Sequence, residues 1–93
     1  MRFVKETRPY KKDFQREERG KYRYVIREEL PTVIEMLASD IPLPTKYRDH
    51  MLTGNWAGHG ECHIRPDLLL VYIKTTDNIL YLVGLGSHSE IFS

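Results

Sequence analysis

Four histidines and an aspartate, His50, His59, His63, Asp67 and His88, recur among strand-like apolar runs in the second half of this chain. Imidazole has an unperturbed pKa closest to neutral, so a set of such side chains can trade protons with a substrate. Lys46, Arg48 and Arg65 lie among them in the sequence. Three imidazoles converging with a carboxylate, flanked by cations, suit acid–base chemistry on a phosphodiester. A histidine taken singly is more often a hydrogen-bonded structural or surface residue. The chemical reading therefore rests on the set.

Spacing refines the set. In an unbroken strand His63, Arg65 and Asp67 share a parity, with His63 and Asp67 about 13 Å apart at ~3.3 Å per residue. Pro66 cannot donate a ladder hydrogen bond and so marks an edge or a bulge, which could re-aim Asp67. The row fits a cleft floor or an ordinary solvent-facing strand face. Asp49 could order a loop or orient an imidazole. His88 follows Gly84, Gly86 and Ser87, where the backbone can turn sharply, and Ile91 and Phe92 could anchor the tail. A zinc set of His59, Cys62 and His63 with His50 or His88 lacks a CxxC pair, an HExxH helix and a second thiolate. The expectation is no metal and no cofactor.

These residues need a scaffold. Ninety-three residues, 41% of them apolar, make one domain over 1–93 with a single core. No apolar run approaches the roughly 20 residues of a membrane helix. The charged N-terminus has no signal-peptide core, and the lone Cys62 allows no internal disulfide, so a cytoplasmic location is expected. Residues 1–29 carry ten Lys/Arg against six Asp/Glu, and residues 30–93 carry four against seven. That basic half could attract a polyanion, but alternating charges on a solvated helix read the same way.

Arg2–Glu6 reads as an edge strand, with Thr7 placed to cap a charged helix over 9–19 that Gly20 closes. Val25, Ile26, Leu30, Val33, Ile34 and Leu37 form the stripe of an amphipathic helix over 22–38, kinked at Pro31. Pro42 and Pro44 end the helical half. Asn55–Ala57, Glu61–Arg65, Leu68–Thr75 and Ile79–Leu85 read as strands, with a tight turn at Asp77-Asn78. Leu68–Ile73 is apolar at both parities and so belongs in the sheet centre. Trp56 is expected in the core. The layout is α+β: two N-terminal helices packed on a mainly antiparallel twisted sheet, then a short C-terminal helix or tail.

The order Leu43-Pro44, Asp49-His50, Leu52, Gly54-Asn55-Trp56, Gly58, Glu61 to Asp67 and Gly86 to Phe92 resembles the YafQ-type mRNA interferase toxins of the RelE/ParE superfamily. The likeness is dense over residues 43–92 and extends to the helical half by layout. It implies a RelE-like fold and a type II toxin that cuts translated mRNA in the ribosomal A site and is held inactive by a cognate antitoxin. Operator DNA would be reached only through that antitoxin. By this resemblance the catalytic residues map onto His50, His63, Asp67 and His88, and the C-terminal aromatic onto Phe92. Metal-free cleavage needs a base for the 2′-hydroxyl, cations around the phosphate and an acid for the departing 5′-oxygen. Lys46, Arg48 and Arg65 are the candidate phosphate contacts, and Trp56 or Phe92 could stack on a base. Ala57, Gly60 and Gly84 stand where relatives commonly carry basic residues. The alternative is a non-enzymatic or attenuated protein on the same scaffold, either a ParE-like gyrase inhibitor or an antitoxin-bound co-repressor. A gyrase-directed relative has no need of the histidine set.

Overall fold

The computed structural model describes residues 1–93. Strand β1 (Phe3–Glu6) leads into α1 (Arg8–Glu17), where the Thr7 hydroxyl accepts from the Tyr10 amide and Pro9 sits in the first turn. The single kinked helix expected over 22–38 is instead two, α2 (Arg23–Glu28) and α3 (Leu30–Ala38), divided at Glu29. Pro31 falls in the first turn of α3, where its missing N–H costs nothing. The helical half thus has three segments rather than two.

The rest of the chain builds β2 (His50–Met51), β3 (Gly60–Arg65), β4 (Leu68–Lys74), β5 (Ile79–Gly86) and α4 (His88–Phe92). The sheet order is β1-β5-β4-β3-β2. β4 is central, as its two-sided apolarity requires. Neighbouring strands are antiparallel except β1, which joins β5 in parallel after the helical crossover. Asn55–Ala57 is not a strand. Gly54 and Gly58 take φ of +67° and +92°, and Gly54–Trp56 closes into a 3-10 turn. β2, which sequence reading missed, pairs before that turn.

Period-2 alternation sorts the sheet into two faces. Cys62, Ile64, Leu68, Leu70, Tyr72, Leu80, Leu82 and Leu85 join Tyr10, Ile26, Leu30, Val33 and Leu37 in one core under the helices. Burial drives the Cys62 thiol far above its usual range, so it stays protonated there. Glu61, His63, Leu69 and Val71 alternate with those residues and point to the opposite face. α4 folds over that face: a β-carbon on Gly84 would lie 3.4 Å from Ile91.

Candidate active site

Cross-strand register, not sequence proximity, assembles the centre of the site. His50 on β2 pairs with Glu61 on β3, and His63 lies two residues further along the same face. Glu61 is only 3% exposed and sits between the imidazoles, with Oε2 3.0 Å from His50 Nε2 and 3.6 Å from His63 Nε2. His50 Nδ1 lies 2.7 Å from the Arg48 carbonyl, which can only accept, so Nδ1 carries a proton. Oε2 thus lies within ion-pairing distance of His50 Nε2, a contact that a proton on that nitrogen would complete. Glu61 Oε1 and His63 Nδ1 are buried with no partner, which leaves unused hydrogen-bonding capacity in the site.

The His50, Glu61 and His63 ligand atoms all lie within 4.8 Å of one another, a grouping able to hold a metal ion. The Cys/His set weighed from sequence does not form, because Cys62 faces the core. Glu61 escaped the sequence reading as a site residue. Its signal was parity: a carboxylate two residues before His63 shares its strand face.

Local backbone aims these groups. Arg48 adopts a left-handed conformation, φ 50°, after the 3-10 turn Thr45–Tyr47, and this turns its carbonyl toward His50. Asp49 accepts from the Tyr72 hydroxyl, so it anchors the loop rather than an imidazole. Tyr72 can reach it because Gly60 has no side chain. A β-carbon there would lie 2.3 Å from the tyrosine ring. Gly60 is thus matched to Tyr72.

Beside this centre, Lys46, Arg48, His63 and Arg65 line one cavity of about 230 Å³, together with Glu29, Tyr47, Ile64 and Pro66. Lys46 and Arg48 form no ion pair, whereas Arg65 Nη1 is bound by Glu29 at 2.7 Å. The Tyr47 hydroxyl bond holds the Glu29 carboxyl below its usual range, against burial, with Arg65 adding to the effect. The same bond, with burial, pushes Tyr47 up to about 12. Arg65 keeps its Nε and Nη2 donors free.

The remaining candidates sit apart from that centre. His88 and Phe92 lie on α4, ring centroids 4.7 Å apart, and Phe92 meets Trp56 edge-on at 4.8 Å. Leu52, Thr53, Trp56, His88 and Phe92 line a shallow recess. Trp56 is half-buried there, not in the core as expected. Asp67 is held by other partners, while lying near enough to α4 to act on Glu90. It occupies the β3–β4 turn, a bulge at Ile64 having broken the strand parity, and it accepts from Tyr22 and, at 3.0 Å, from Lys21. Those bonds, Tyr22 first, hold its carboxyl below the usual range.

An α+β sheet with a buried carboxylate between two imidazoles, and unpaired cations beside it, defines a small protein equipped for proton transfer next to an anion. The family model described as "Bacterial toxin of type II toxin-antitoxin system, YafQ" matches residues 2–93, and the chain belongs to that family. The mRNA interferase toxin YafQ of Escherichia coli K12 is 39% identical over 57 residues, which is 61% of this chain and 61% of that relative. The copper-bound mutant toxin from Helicobacter pylori superposes with TM-score 0.86 at 39% identity, covering 99% of this chain and 100% of the other. YafQ in the E. coli DinJ-YafQ complex superposes with TM-score 0.81 at 29% identity and full coverage of both chains.

Proposed function

We propose that this chain is the toxin of a type II toxin–antitoxin pair, a ribosome-dependent endoribonuclease that cleaves translated mRNA by acid–base catalysis. The observation that carries the reading is the buried Glu61 between His50 and His63, opening beside the Lys46/Arg48/Arg65 cavity. Glu61 or a neutral imidazole takes the 2′-hydroxyl proton. Lys46, Arg48 and the free donors of Arg65 hold the phosphate. His88, on α4, is assigned the departing 5′-oxygen, with Phe92 stacking on a base. Asp67, bound by Lys21 and Tyr22, acts by holding the β3–β4 turn. A cognate antitoxin blocks the site until needed, as the DinJ-YafQ complex suggests by analogy. No helix is long and apolar enough to cross a membrane, and the proposed location is the cytoplasm with the ribosomes.

Inducing the chain without a partner is expected to arrest growth. Primer extension on a translated reporter should then show new 5′ ends inside codons, and His88→Ala should suppress both effects with the fold intact. Intact mRNA alongside gyrase-dependent DNA damage would instead select the gyrase-inhibitor reading.

The H. pylori mutant toxin is copper-bound, and the donors here fit such an ion: two imidazoles and a carboxylate, with two buried polar atoms unpartnered. His50, Glu61 and His63 would hold it, and it would bring positive charge to the site while occupying the lone pairs used for proton transfer. Slow cleavage of a minimal RNA in magnesium-free buffer should therefore persist in EDTA and, in chelator-free buffer, fall on adding one equivalent of zinc or copper. Loss of cleavage in EDTA, restored by zinc, would overturn the metal-free mechanism.

A further inference from the structure

β1 stops pairing at Leu82, so the last residues of β5 have no strand on that edge. Side chains of α1 take the place of one. Asp13 Oδ2 accepts from the Leu85 amide at 3.0 Å, and Arg16 Nη2 donates to the Leu85 carbonyl at 2.8 Å. The same guanidinium reaches α4, its Nε 3.3 Å from Glu90 Oε2. Glu90 is already committed to α4 by a capping box with Ser87. Gly86 makes room for this arrangement. A β-carbon there would lie 2.4 Å from Arg16 Nη2 and 2.9 Å from Glu90 Oε1, at φ +153°.

Gly86 pairs with Leu69 and Leu69 with His63, so the glycine that makes room for Arg16 lies on the same cross-strand row as a proposed catalytic residue, two strands or about 10 Å away. Its charge is shared among three carboxylates. Asp13, Glu17 and Glu90 all contact it, and an approaching phosphate would meet a surplus of negative charge. What the guanidinium does is join three elements: α1, the open edge of β5 and the first turn of α4.

We infer that Arg16 is a positioning residue: through Glu90 it locks α4 against the β5 edge and so sets where His88 and Phe92 stand. Its catalytic consequence rests on the proposed RNase activity, but the docking itself does not. Trp56, the single tryptophan, packs on Phe92 and reports whether α4 is seated.

The test uses Arg16→Gln, Glu90→Gln and the double variant of the full chain. Glutamine at position 90 can still complete the capping box, so Glu90→Gln removes the ionic link and spares the helix. That side chain is 41% exposed, which keeps the test open even where Arg16→Gln unfolds. Both singles should shift Trp56 emission and raise acrylamide quenching toward the values of Phe92→Ala. Single-turnover cleavage of a minimal RNA should slow roughly ten- to a hundredfold, as misplacement of a catalytic group does, with half-saturating RNA within about twofold. The double variant should be no slower than the worse single, because one link has been cut twice. Unchanged quenching in both singles overturns the clamp. So does a rise in half-saturating RNA at unchanged maximal rate, which would make Arg16 a substrate contact. If the parent chain cleaves no RNA, only the functional reading fails, and Trp56 still decides the docking.

Discussion

Glu61→Gln is expected to lower single-turnover RNA cleavage by about 10²- to 10⁴-fold, the range for losing a proton-transfer group. The substitution preserves shape. His50 keeps its Nδ1–H bond to the Arg48 carbonyl, and a glutamine amide can donate to the Nε2 lone pair where Glu61 Oε2 now lies at 3.0 Å. Nothing charged then remains buried between the rings, and a buried ionised carboxylate is costly to maintain. Thermal stability should accordingly hold or rise while activity collapses. Calorimetry and single-turnover kinetics on the same preparation check both halves. A variant retaining more than half the parent rate would remove Glu61 from the chemistry and leave the histidines to carry it.

Gly60→Ala should destabilise the fold by about 1–3 kcal/mol, the usual range for overpacking a filled core. The added β-carbon would meet the Tyr72 ring at 2.3 to 2.6 Å, and Tyr72 is only 4% exposed, so the ring has little space to retreat. Displacing it also breaks the Tyr72–Asp49 bond that tethers the loop before His50. Since His50 meets Glu61 only through the two-residue pairing of β2 with β3, activity should fall together with stability. Denaturant unfolding measures the first effect. Adding Tyr72→Val to Gly60→Ala separates the causes, because it relieves the clash without restoring the tether. Stability should recover in part and cleavage should not. Full recovery of both would show that the Asp49 tether is dispensable.

Local pattern carried much of the architecture. Apolar residues at both parities in Leu68–Ile73 placed β4 at the centre, and its near-complete burial agrees. Thr7, Pro9, Pro42 and Pro44 bounded helices through backbone chemistry that acts within a few residues. Asp77-Asn78 marked the β4–β5 turn, where Asn78 takes φ 70°. His50, His63, His88 and the cations could be singled out because their side-chain chemistry is a property of residue type.

Tertiary structure decided which of them meet. His50 and Glu61 are eleven positions apart and become neighbours only by strand register, a long-range choice that local pattern does not encode. The Ile64 bulge cancelled the parity that would have aligned Asp67 with His63, and Lys21 and Tyr22, brought by the α1–α2 connection, claimed its carboxylate. Trp56 looked like core by residue type, yet flanking glycines at positive φ turned it out beside Phe92. Within its own helix Arg16 is one charge among several, and only the free edge of β5 gives it a carbonyl to bind. Residue type and short-range geometry named the chemistry and the elements. The pairing of distant backbone segments chose the partners, because a hydrogen-bonded register brings together residues that no local period relates.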